Sequence, residues 1–157
     1  MKLYEILDVN VFMNELLAKN GFDEFFAGAV TLRTMTDFFI EGKRNKEWFD
    51  EEMEPYVRWK EIKAYLYELI KGKKKPHLFK LELLVDEKGY LEMAPEQEMN
   101  GKSPLYYRMN FRYENEQLFL TTAVSHASFE LDKTAELLWD SFAAAYLKRL
   151  SISVREA

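Results

Sequence analysis

The chain has no cysteine, which removes disulfides, thiolate nucleophiles and Cys-type zinc sites together. Histidine is almost as scarce. His77 and His126 are the only two, they fall in different predicted elements, and no His-x-x-x-His or His-Glu spacing points to a metal. Ser125 and His126 are neighbours, but adjacent strand residues point to opposite faces, so they do not make a nucleophile and its base. Neither a catalytic residue, a metal site nor a cofactor is therefore expected. Apolar runs are short as well. Charged residues interrupt every candidate before the ~20 residues that a bilayer span needs, and no charged n-region leads into an apolar h-region. The reading is a cytoplasmic chain with no membrane partner. Its formal charge of −5, from 27 acidic and 22 basic residues, argues against nucleic acid as a general partner.

What is present is material for a core. Hydrophobic residues are 48% of the 157, with 12 Phe, 9 Tyr and 3 Trp, enough for one domain spanning 1–157 and too much for disorder. Periodicity then places the elements. Met1 to Leu7 reads as a strand, and Asp8 is placed to cap a helix whose apolar stripe is Val9, Phe12, Met13, Leu16 and Leu17. Residues 26–33 alternate as a strand and 38–41 resume the alternation; the join at Thr34 to Asp37 fits a tight turn or one long bent strand, and a hairpin is the preferred reading. A short helix from Lys46 to about Glu52 is expected to bury Trp48 and Phe49. A central helix, Tyr56 to Lys71, carries Trp59, Ile62, Leu66 and Leu69 on one stripe and stops at Gly72. Strands follow at 78–85, 105–113 and 117–124, with a polar connection over 86–103 and a further short strand through Ala127, Phe129 and Leu131. Asp132 caps a long last helix with Leu138, Phe142 and Ala145 as its main stripe, widened by Ala135, Trp139, Tyr146 and Leu150, and Ser151 to Ala157 is read as a tail. The fold class is α+β: a mainly antiparallel sheet of five or six strands, with an early helix, a central helix and a long C-terminal helix packed on one face.

With Trp59, Leu69-Ile70-Lys71-Gly72, Pro76, Phe79-Lys80, Phe129, Leu131-Asp132-Lys133 and Trp139-Asp140 in view, the chain resembles a family of short bacterial proteins of unknown function, common in Gram-positive anaerobes. The likeness runs over nearly the full length and takes in Phe22-Asp23-Glu24-Phe25 and the Gly42 to Lys46 segment. It departs at Lys63-Ala64, where an Arg-Pro pair is expected, and at Lys75, where threonine is expected before the proline. The resemblance implies a bacterial domain without an assigned activity and carries over no site.

Two surfaces stand out. The outward phase of the strands holds Arg33, Lys80, Tyr106, Arg108, Asn110 and Arg112, with Thr121 and His126 on neighbouring strands. Guanidinium and aromatic groups on an open sheet can stack bases or clamp carboxylates, whereas ordinary antiparallel sheets also wear a polar outer face, here with Glu82 and Glu130 to pair the cations. The second surface is the basic turn Lys73, Lys74, Lys75, which suits either an anion or simply the negative end of the preceding helix. Met35, Phe39 and Leu84 fall on the polar phase of their segments, which points to a covering element or a partner subunit. The functional expectation is a non-enzymatic binding or protein-interaction module, a homodimer or a domain with a protein partner. Anionic-ligand or nucleic-acid binding through the basic and aromatic face and the Lys73 to Lys75 turn is the alternative.

Overall fold

A computed structural model of the chain describes residues 1–97 and 103–157. Its strands are β1 (Leu3–Ile6), β2 (Phe26–Arg33), β3 (Asp37–Glu41), β4 (Leu78–Val85), β5 (Tyr106–Glu114), β6 (Gln117–Ser125) and β7 (Val154–Glu156). The helices are α1 (Val9–Leu17), α2 (Trp59–Ile70), α3 (Glu87–Met93) and α4 (Thr134–Arg149). All seven strands join one antiparallel sheet in the order β3-β2-β4-β5-β6-β1-β7.

Seven strands correct the expected five or six, and two segments differ from the sequence reading. The last residues are not a tail: β7 pairs with the free side of β1, where Tyr4 faces Glu156 and Ile6 faces Val154. Ala127 to Leu131, in contrast, is no strand. Its alternation finds no neighbour to pair with, and Phe129 and Leu131 are exposed. The expected β2–β3 hairpin is present, closed by the Thr34 N–H donating to the Thr36 carbonyl at 3.0 Å. Asn115 and Glu116, at φ 55° and 62°, make the two-residue left-handed turn that matches the twist of β5 and β6.

Helix boundaries also moved. Asp8 does not cap α1; its carboxylate accepts from the Ser153 N–H instead and ties the two chain ends. α2 begins at Trp59 rather than Tyr56, where the Glu61 carboxylate reaches back to the Arg58 N–H at 2.6 Å. The expected helix at Lys46 is a single 3-10 turn, Lys46–Trp48, and Trp48 stands 82% exposed because nothing packs over it. The connection after β4 contains α3, capped by Asp86 accepting from the Gly89 N–H at 2.8 Å; residues 98–102 of that connection lie outside the described residues.

The core fills around one strand phase. Tyr107, Met109, Phe111 and Tyr113 of β5 are buried together with Phe79, Leu81, Leu83 and Val85 opposite them in β4. Phe12 of α1 lies 4.7 Å from Phe111, ring to ring, and Tyr90 of α3 lies 4.6 Å from Tyr107. Trp139 of α4 lies 5.3 Å from Tyr107, and its indole N–H donates to the Arg108 carbonyl. Trp59 of α2 is fully buried and donates to the Leu16 carbonyl at 2.7 Å. The buried stripe of α4 is Trp139, Phe142, Ala143 and Leu147; Phe142 and Trp139 are buried as expected, whereas Ala145 of the expected main stripe is exposed. Asp140 is buried beside that stripe, where its carboxylate accepts from the Thr122 hydroxyl.

Candidate functional site

The register of the sheet assembles the outward phase. Across the strands run Phe39, Thr31, Lys80, Arg112, Phe119, Glu5 and Arg155, each directly opposite the next. Beside this row, Glu82 faces Asn110 and Asn110 faces Thr121, while Leu84 faces Arg108. Six of the seven expected residues, Arg33, Lys80, Tyr106, Arg108, Asn110 and Arg112, therefore share one face of β2, β4 and β5. His126 does not join them. It follows the last residue of β6, outside the strand pairings.

The arginines of this face are already paired. Arg33 Nε donates to Asp37 at 2.9 Å, Arg112 to Glu114 at 2.8 Å, and Arg108 to both Glu82 and the Ser125 hydroxyl at 2.6 Å. Arg155 pairs with Glu5 in the same way. Glu114 is held below the usual carboxylate value by its Arg112 hydrogen bond and by that cation's charge. Glu82 thus takes the role expected of it, and Glu130 does not: it accepts from the Asp132 N–H in the segment before α4. The guanidinium of Arg108 also lies 5.7 Å from the Tyr106 ring, and Tyr106 meets Tyr56 edge-on at 5.5 Å. Burial pushes the Tyr106 hydroxyl up, with Tyr56 and Asp86 adding and Arg108 opposing.

The apolar members of the face divide. Leu84 is fully buried, since Phe26 stands opposite it and Tyr56 packs on Phe26. Phe39 remains 67% exposed. The basic turn lies elsewhere, between α2 and β4, where Lys73, Lys74 and Lys75 line a groove of about 730 Å³ with Met35, Phe38 and Ile70.

One charged corner was not visible in the sequence. Arg44 forms a two-pronged pair with Glu61 at 2.7 and 3.1 Å, and Arg58 does the same with Glu54 at 2.6 and 3.0 Å. Arg44, Glu54 and Arg58 come from the strap between β3 and the start of α2, and only the fold brings Arg44 to Glu61. Asp140 was equally hidden, although a lone acid beside Trp139 on an otherwise apolar stripe is a signal that could have found it.

Chemically, the face offers paired guanidinium and carboxylate groups beside tyrosine rings. Among the described residues no three His, Asp or Glu side chains converge as a metal site, and no helix there is long and apolar enough to cross a membrane. A family model matches residues 15–155. The chain belongs to DUF5721, a family of unknown function. Neither curated proteins nor solved structures yielded a match. For this DUF5721 chain, the case for a function rests on the sheet face and the basic groove.

Proposed function

We propose that this DUF5721 chain is a single-domain, cytoplasmic, non-enzymatic interaction module that forms a homodimer through the outward face of its sheet. The observation that carries the reading is the row Phe39, Thr31, Lys80, Arg112, Phe119, Glu5. The contacts of α1, α3 and α4 fall on the opposite phase, at Phe111 and Tyr107, so early, central and C-terminal helices are read as gathered on one side. On the other side Phe26 and Tyr56 cover Leu84, and the exposed part of the row is left for a partner.

Size supports a protein partner. With strands about 4.8 Å apart and central strands about 28 Å long, seven strands present a face on the order of 800 Å², which is what each partner gives to a standard interface. Charge supports it too. Arg33, Arg108 and Arg112 are each matched by Asp37, Glu82 and Glu114, so a polyanion would have to displace three carboxylates, whereas a second copy offers both signs to both signs. The nucleic-acid alternative is weakened by the same pairs.

Sedimentation velocity from micromolar to millimolar chain tests this. The expected result is a reversible dimer, turned into a monomer by Arg112→Glu with Phe39→Glu, both exposed positions, with circular dichroism unchanged. A monomer at every concentration, or a dimer indifferent to both substitutions, overturns the proposal.

A further inference from the structure

The groove at the end of α2 has a chemistry of its own. Its floor is apolar, made by the partly buried Phe38 and Ile70, and its rim carries Lys73, Lys74 and Lys75 opposite Met35. About 730 Å³ falls within the range of small-molecule sites. Two of the rim lysines are free to act: Lys71 is tied to Glu68 at 2.6 Å and Lys75 approaches Glu116 at 3.8 Å, but Lys73 and Lys74 have no ion pair among the described residues. The negative end of α2 supplies only about half a unit charge, far less than these ammonium groups. A chain of formal charge −5 therefore turns locally positive here, over an apolar floor. Gly72, at φ +132°, makes the bend that sets Lys71 and Lys73 on the same turn, a conformation that other residues rarely adopt.

We propose that this groove binds a small amphipathic anion, an apolar chain ending in a phosphate or carboxylate, with the chain on Phe38 and Ile70 and the anionic end at Lys73 and Lys74. The apolar floor separates this ligand from inorganic phosphate. Recession between α2 and the β2–β3 hairpin separates it from a flat lipid surface. Neither the dimer nor the sheet face is needed for it.

The test is a titration of the full, isotope-labelled chain at low salt, read from backbone amide shifts. Octyl phosphate should move the amides of residues 34–38 and 69–77. Each buried methylene adds roughly fourfold in affinity, so octyl phosphate should bind at least about tenfold more tightly than inorganic phosphate. Lys73→Glu with Lys74→Glu should weaken it by at least about tenfold, as loss of paired charge at low ionic strength predicts; both lysines are exposed, and an otherwise unchanged amide spectrum verifies the fold. Shifts scattered away from these residues, equal affinity for inorganic phosphate, or binding only to phosphatidylglycerol vesicles would overturn the proposal.

Discussion

Arg44 and Glu61 offer the sharpest quantitative test of how the strap between β3 and α2 is held. The Arg44 side chain is only 5% exposed, its Nε is buried without a hydrogen-bond partner among the described residues, and Phe49 lies 5.4 Å under its guanidinium. Glu61 is 37% exposed and takes the Arg58 N–H as well. Breaking a fully buried pair by removing one partner costs about 3–5 kcal/mol, and an exposed pair is worth about 0.2–1 kcal/mol. With one partner buried and the other screened by solvent, Glu61→Leu should cost about 2 kcal/mol. Arg44→Met with Glu61→Leu should recover most of that, because no uncompensated charge remains. A double-mutant cycle by urea unfolding measures the coupling directly, and a value below about 0.5 kcal/mol refutes the reasoning.

The same pair fixes a pH dependence. Burial alone raises the Glu61 carboxyl, but the Arg44 hydrogen bond, the Arg58 N–H and both guanidinium charges outweigh it, so the folded value lies below the ordinary one. A depressed carboxyl contributes stability that is fully present above its unfolded value, about pH 4.3, and fades as pH falls through the folded value. The Arg44–Glu61 coupling should therefore be whole at pH 7 and shrink below about pH 4.3. Equal coupling at pH 7 and pH 3 contradicts this.

Two glycines separate crowding from backbone strain. A Cβ on Gly42 would stand 1.8 Å from the Ala27 carbonyl oxygen, so Gly42→Ala should lower unfolding free energy by about 3 kcal/mol. Gly72 has open space around it and pays only for its positive φ, so Gly72→Ala should lose about 1 kcal/mol; urea midpoints that reverse this order refute the assignment. The Tyr90 hydroxyl is buried without a partner among the described residues, and burial with the Tyr107 and Glu96 charges pushes it up to about 12. Tyr90→Phe should accordingly leave thermal stability unchanged or raise it by up to about 1 kcal/mol, and a loss larger than that would show that the hydroxyl is satisfied.

Alternation made the centre of the sheet legible before any coordinates. β5 buries one phase, while β2 and β4 also bury Phe26, Leu78 and Leu84 on the outer one, Phe26 being set there by the bulge between Ala27 and Val30; Arg33, Lys80, Arg108 and Arg112 still fall on a common face as the alternation requires. What alternation does not contain is register. That Lys80 stands against Arg112, and that Arg108 meets Glu82, follows from strand pairing between segments far apart in the chain, whereas Arg33–Asp37 and Arg112–Glu114 are pairs of near neighbours in sequence. Short and uniform segments misled for related reasons. β7 is three residues long and exists only because β1 offers it an edge, whereas Ala127 to Leu131 alternates with no edge to join. In α4 alanine and leucine occur nearly all round, so the stripe could not be phased until Trp139 met Tyr107.

The place of β1 between β6 and β7 governs the order in which the chain can fold. On the ribosome β1 is the earliest of the seven strands to emerge, yet Tyr4 and Ile6 must wait for Leu120 and Leu118 on one side and for Glu156 and Val154 on the other. Pairings so distant in sequence are slow to close. β2, β4, β5 and β6 can form first as the nascent sheet, with β1 inserted after them and β7 sealing it last. A stalled nascent chain that ends before β6 carries two large apolar side chains with no sheet to receive them, which is the stage at which a chaperone would be needed most.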